Sequence, residues 1–351
     1  MSTRRLAAIL PIVAIVVAAC TSSSPGASAG AGCKVGVAWA TFQEPRYGER
    51  DEPSIKAALA AGGAEYLSGG DGQNKAETQA SQIATLLAAN IDVLVLNAVD
   101  PVAVLPSLQD AIDAGIPVIA YDRELESDKV LFLTHDNVLV GHMIADEVTK
   151  VQPTGNYVII KGDETQTNPI FLRNGMEEIL KPLVDSGDIT IVAEEFTDDW
   201  TAENAQTEME NILTAHPDVQ AVLSENDNMA TGVTAALNGN TDGKVKIGAQ
   251  DGDTFALNRV ALGTQVVSVW KDATELGTAA GNAALELCKD PDISKVTGAV
   301  KSKTTGGLDS YSELLNPVPI TKDNLQVVLD ANWITKADLC KDVTPGSVNG
   351  C

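Results

Sequence analysis

Arg46, Asp122, Arg123, Asn168, Trp200, Asn226, Asp251 and Lys271 share one trait: each stands in a loop just beyond a short run of apolar, mostly β-branched residues. Asp100, Asp136, Asn137 and Asp227 stand in the same kind of place. Carboxylates that accept, Arg and Lys that donate, amides that do both and an indole plane are the groups that hold a polyhydroxylated ring. Each hydroxyl of such a ring donates once and accepts twice, and its C–H faces lie against an aromatic ring. Two of the carboxylates, Asp122 and Asp251, would also suit the paired acid and base of an enzyme that cleaves carbohydrate. Asp and Asn equally cap helices and make turns, so each residue alone is compatible with a purely structural role, and the set carries the argument.

Those positions matter only if the runs are parallel strands, because ligands of open α/β sheets lie beyond the carboxyl ends of the strands. The sequence predicts strands over 34–38, 64–67, 91–96, 116–121, 129–133, 157–161, 189–193, 219–223, 244–249 and 265–269. Several are apolar on both faces, as a strand covered by helices on both sides must be. Helices are predicted over 75–89, 102–114, 137–150, 169–180, 201–215, 229–237 and 273–288. Thr201 suits an N-cap, Pro169 a first turn, and Gly115 and Gly187 left-handed C-terminal turns. Strand and helix in alternation make an α/β fold, and ten strands in 351 residues fit two sheets of about five better than one wide sheet.

The leader has its own logic. Arg4 and Arg5 precede an apolar stretch ending Val17-Ala18-Ala19-Cys20, followed by Thr21-Ser22-Ser23-Ser24-Pro25-Gly26. A charged start, an apolar middle and small residues before the cut mark a secretory signal peptide over 1–19. Small residues directly before a cysteine are similar to a bacterial lipobox, so Cys20 is the expected acylation site, with 20–32 a linker. The mature chain is then expected outside the cytoplasm, held to the membrane by lipid, where ATP, NADH and nucleic acid are poor ligands. A net charge of −24 also disfavours phosphate backbones.

With Cys20 set aside, Cys33, Cys288, Cys340 and Cys351 remain, an even number for an oxidising compartment. Of the three connectivities, Cys340 with Cys351 and Cys33 with Cys288 is expected. The first two are close in sequence, and a helix over 273–288 returning to the first domain brings its end to the first strand. A metal site finds no CxxC pair, and His135, His142 and His216 are scattered. Gly69-Gly70-Asp71-Gly72 lacks the Lys-Ser/Thr of a phosphate loop, 238–249 lacks the acidic ends of a calcium loop, and no G-x-S-x-G elbow occurs. No metal and no cofactor are expected.

Ala120-Tyr121-Asp122-Arg123, Asp136-Asn137, Asp198-Asp199-Trp200, Glu225-Asn226-Asp227, Gln250-Asp251-Gly252-Asp253 and Val269-Trp270-Lys271 occur in this order. So do Gly155-Asn156-Tyr157 and the run from Leu180 to Gly187. Together, over about residues 33–335, they resemble type I periplasmic sugar-binding proteins of ABC importers, in particular the D-xylose-binding members. The resemblance implies two doubly wound parallel-sheet domains joined by a three-stranded hinge: 33–135 with 272–300, and 136–271 with 301–351. It implies that Asp122 and Arg123, with Arg46 nearby, hold sugar hydroxyls from the first domain. Asn168, Trp200, Asn226, Asp251 and Lys271 would close from the second domain and the hinge. It further implies a monomer that is no enzyme, closes over a monosaccharide and delivers it to a membrane permease and its ATPase. A sensor that presents the sugar to a membrane receptor is the alternative. The loop Thr41 to Tyr47 departs from the pattern, with Gln43 where the xylose-binding members tend to carry a basic residue.

Overall fold

The computed structural model describes residues 32–240 and 242–351. The expected signal peptide, Cys20 and nearly all of the linker lie outside the described residues. Thirteen strands are assigned among them: β1 Lys34–Trp39, β2 Glu65–Asp71, β3 Val93–Leu96, β4 Val118–Tyr121, β5 Val130–His135, β6 Gly155–Lys161 and β7 Ile189–Phe196. These are followed by β8 Ala221–Ser224, β9 Lys246–Asp251, β10 Val267–Trp270, β11 Val300–Lys303, β12 Asp309–Leu315 and β13 Val318–Ile320. They form two sheets, in the orders β11-β12-β5-β4-β3-β1-β2 and β13-β10-β9-β8-β6-β7. Pairing is parallel except for β11 with β12 and β13 with β10.

Each sheet contains the same five-strand order, β2-β1-β3-β4-β5 in one and β7-β6-β8-β9-β10 in the other. This is the doubly wound arrangement, and its switch point lies beside β1 in the first sheet and β6 in the second. The strands β3, β4, β8 and β10 are buried along their whole length, and β3 and β4 accordingly read as continuous apolar runs, while β8 and β10 each carry one buried serine, Ser224 and Ser268.

Helices α1 Glu52–Gly62, α2 Ala76–Ala88, α3 Leu105–Asp113 and α9 Ala273–Leu287 cover the first sheet. Helices α4 Asn137–Val151, α5 Asn168–Ser186, α6 Ala202–Ala215, α7 Asp227–Ala236 and α8 Thr254–Leu262 belong to the second. The short α10 Gln326–Asp330 and α11 Lys336–Leu339 pack there too. The chain crosses between sheets three times: from β5 to α4, from β10 to α9 and from β12 to β13.

Helix α9 carries Gly277 and Gly281 one turn apart on the face it turns to α1. A Cβ on Gly277 would come within 2.6 Å of the Asp51 carbonyl oxygen, and one on Gly281 within 2.5 Å of Ala58 Cβ. Two glycines thus let α9 press on the segment that carries Asp51, a residue the site below depends on. Disulfides join Cys33 to Cys288 and Cys340 to Cys351.

Two expectations need correction. The boundary expected at 300/301 moves past residue 315, because β12 pairs in parallel with β5 and β11 pairs with β12, which returns residues 300–315 to the first sheet. The predicted helix ending at Leu180 runs on to Ser186 through Pro182. Helices α1, α8, α10 and α11 and strands β11 to β13 were not predicted.

Candidate functional site

Beyond β1 the chain folds into a single π-helical turn, Tyr47–Asp51, that runs on into α1, with Arg46 at its head. This turn fixes Arg46. Its Nε and Nη2 donate to the two oxygens of Asp51 at 3.2 and 2.9 Å, a fork that holds the guanidinium plane. Asp51 is fully buried and also accepts from the Tyr121 hydroxyl. The other edge of Arg46 faces a cavity, with Nη1 3.7 Å from Asp122 Oδ1 and 3.5 Å from Asp251 Oδ1.

Asp122, the first residue after β4, is the centre of this wall. Its Oδ2 accepts from the Tyr47 hydroxyl at 2.7 Å, and its Oδ1 lies 3.4 Å from Lys271 Nζ. Burial pushes the Asp122 carboxyl up, but Arg46, Lys271, the Tyr47 hydroxyl and Arg123 outweigh burial and hold it well below the usual carboxylate range. It is therefore an acceptor at every physiological pH. Arg123 is steadied by donating Nη1 to the Ala98 carbonyl at 2.8 Å. Glu44 behaves oppositely: burial, with Asp251 adding to it, pushes its carboxyl up to about 8 against the pull of Arg123 and Arg46. At neutral pH it therefore holds its proton.

The facing wall comes from the second sheet. Asn168 opens α5 after β6 and donates Nδ2 across to the Asp122 carbonyl at 3.0 Å. Trp200 follows β7, its Nε1 donating to Gln166 Oε1 at 3.1 Å. A Cβ on Gly162 would fall 2.0 Å from Trp200 Cζ2, so the indole lies in the space that a glycine leaves. Asn226 caps α7 by accepting from the Met229 N–H at 2.7 Å and sets its Nδ2 3.5 Å from Glu44 Oε1. Gln250 donates to the Glu225 carbonyl at 2.8 Å. Lys271, at the crossing from β10 to α9, is buried between Asp122 and Asp251, 3.7 Å from Asp251 Oδ1.

Asp122, Trp200 and Asp251 all hold a positive φ, of 62°, 58° and 103°. For residues other than glycine this costs about 1–2 kcal/mol each, and it persists because the surroundings over-determine the conformation. After Asp251, for example, the buried Asp227 accepts the N–H groups of both Gly252 and Asp253 at 3.1 Å.

The structure thus brings together all eight candidates, Arg46, Asp122, Arg123, Asn168, Trp200, Asn226, Asp251 and Lys271, around one cavity. Its volume is about 340 Å³ including the mouth, and its walls come from both sheets. A profile of the periplasmic binding protein domain matches residues 35–292. The chain belongs to the periplasmic binding protein family. It is similar to the D-xylose-binding periplasmic protein of Escherichia coli K12, at 33% identity over 296 residues, 84% of this chain and 88% of the relative. The D-xylose-binding periplasmic protein of Haemophilus influenzae is 32% identical over 311 residues, 87% of this chain and 92% of its own length. Among solved structures, an ABC transporter solute binding protein from Clostridium phytofermentans with bound β-D-glucose superposes with a TM-score of 0.78. It is 26% identical, and the match covers 87% of this chain and 99% of that one. These relatives are binding proteins, not enzymes, and this binding protein holds Asp122 ionised, which deprives it of a general acid there.

Four further residues complete the cavity wall of the binding protein: Glu44, Tyr47, Gln166 and Gln250. Each lies within two residues of a candidate, but a reading that takes the most strongly polar residue beyond each strand passes over them. Gln43, singled out in the sequence, points to solvent while its neighbour Glu44 is buried in the site. The remaining strand-end residues do structural work. Asp100 accepts the N–H groups of Val102 and Ala103, and Asp136 caps α4 through the Leu139 N–H at 3.0 Å. Asn137 lies outside this cavity.

Proposed function

We propose that the protein captures a monosaccharide, D-xylose or a related aldose, between its two lobes outside the cytoplasm and delivers it to an ABC permease driven by a cytoplasmic ATPase. The observation that carries this reading is the shared cavity, where an ionised Asp122 stands between Arg46 and Lys271 and faces Asn168 and Trp200. Ionised acceptors and fixed cationic donors pair with hydroxyls in both senses, and the indole offers a face for sugar C–H groups. Asn168 Oδ1, Gln250 Oε1 and Asp251 Oδ1 accept no hydrogen bond among the described residues, which suits ligand hydroxyls that donate. The cavity is small and walled by both sheets, which favours a single ring over a longer glycan. Sugar that touches both lobes stabilises the closed form, a population shift about the three crossings. Cys20 supplies the lipid tether in this reading, and the chain acts as a monomer.

The test is a calorimetric and thermal-shift screen of the mature protein against D-xylose first, then other aldopentoses and hexoses. A sugar at about a thousand times its Kd adds about 4 kcal/mol of stability. A selective rise with one sugar, lost in Asp251→Ala, supports the reading and names the cargo. No response to any monosaccharide sinks it. Mass spectrometry of the membrane-extracted protein tests the tether: an unacylated Cys20 rules it out.

A further inference from the structure

The end of the chain reaches across the mouth of the cleft without entering the sugar cavity. Trp333 is buried on the second lobe, edge-on to Trp270 with ring centroids 5.4 Å apart, and its Nε1 donates to the Gly252 carbonyl at 2.6 Å. Gly252 and Trp270 are the chain neighbours of Asp251 and Lys271, so Trp333 braces the backbone on which two site residues stand. From the opposite lobe, Arg50 in the turn before α1 lays its guanidinium over the Trp333 ring, 4.9 Å from the centroid. The same group donates Nη2 to the Trp333 carbonyl at 2.8 Å. Both residues line a recess at the cleft mouth, with Glu49 and Phe255, that adjoins the cavity through Arg46, and neither of the two lines the cavity that holds Asp122.

We infer that Arg50 and Trp333 form a latch that holds the lobes closed, independent of the sugar between them. The three crossings between sheets are where the lobes pivot, and parting the cleft faces about them separates Arg50 from Trp333. The segment that carries Trp333 is anchored so that it takes the load. Cys340 is bonded to Cys351, and Asn258 on α8 donates to the carbonyls of Leu339 and Lys341 at 3.0 and 2.9 Å. Pulling on Trp333 therefore pulls the second lobe and does not peel off the tail. A contact made only in the closed form raises the fraction of competent protein, so it strengthens apparent affinity by the same factor for every sugar the site accepts.

This inference rests on the reading that the lobes close on a sugar. The experiment is Arg50→Met, which keeps the stem and removes the fork, beside Arg50→Lys, which keeps the charge and loses the flat stacking. In Arg50→Met the Kd rises about tenfold, mainly through faster release, and by one common factor for each sugar that binds the natural protein. Arg50→Lys falls between. An unchanged Kd, or a rise confined to one sugar, overturns the latch, since the second result would place Arg50 in sugar recognition. If the natural protein binds no monosaccharide, the proposed function fails and small-angle scattering of the sugar-free proteins decides the latch alone. A larger radius of gyration in Arg50→Met upholds it, and an unchanged radius removes it.

Discussion

The two walls of the cleft are built on different principles. The first-lobe wall is ionic and tied to itself: Asp51 grips Arg46, Tyr47 grips Asp122, and the Ala98 carbonyl grips Arg123. The second-lobe wall is mostly amide and aromatic, and three of its acceptors, on Asn168, Gln250 and Asp251, have no hydrogen-bond donor among the described residues. A wall whose charges satisfy one another is ordered before any ligand arrives. A wall with unspent acceptors gains its last hydrogen bonds from the ligand. Affinity is therefore expected to depend most on the first wall, and discrimination between sugars on the second.

Removing the centre of the first wall should cost most. Asp122→Ala leaves buried Lys271 and one edge of Arg46 to share Asp251 as their one remaining counter-charge in the cavity, a loss of about 4 kcal/mol or roughly a thousandfold in Kd. Calorimetry that found less than a tenfold loss would break the contrast. On the second wall, Asp251→Asn keeps the shape and removes the charge, at about thirtyfold. That loss should vary from sugar to sugar, and a uniform loss across an aldose panel would count against the division of labour. Trp200→Leu should weaken binding about tenfold by removing the stacking face, read as a Kd for D-xylose against one for an acyclic polyol, which gains little from a flat ring.

The smallest effect concerns Glu44, a first-wall carboxyl that holds its proton at neutral pH. Its pKa is raised from 4.5 to about 8 by burial, so the stability it contributes is present below about pH 4.5 and is lost as pH climbs towards 8. Glu44→Gln removes that loss. The melting temperature of the variant should gain on the natural protein by a few degrees between about pH 5 and pH 8. Asp227, raised to about 7 by burial, slopes the same way but is common to both proteins and cancels. A constant difference across this range would mean that Glu44 is ionised in the closed protein.

The parallel core was legible because its strands are buried on both faces, and that burial writes itself as unbroken apolar runs such as Val93–Leu96. The strands added late in the chain, β11 to β13, were not. In β12 the buried inward positions include Ser310 and Ser312, and β11 carries Lys301 and Lys303, so no apolar alternation marks either one. That silence misplaced residues 301–315. In the site, residues at strand ends were legible from topology, because every parallel strand delivers its next residue to the same edge. Glu44 was not, since its burial depends on how the Thr41 to Tyr47 loop folds back under the second lobe. Nor was the Arg50 contact, which joins residues 283 positions apart.

The bond between Cys33 and Cys288 also has a mechanical consequence. A force applied to the chain upstream of residue 33 enters the folded body at the first residue before β1, a strand in the interior of its sheet. Without the bond, that load would unzip β1 from β2 and β3. With it, tension passes covalently from Cys33 into the end of α9, and β1, β2 and β3 stay out of the line of force. Pulled by its two ends in an optical trap, the oxidised protein should extend only by residues outside the loop from 33 to 288, and the reduced protein by those inside it as well.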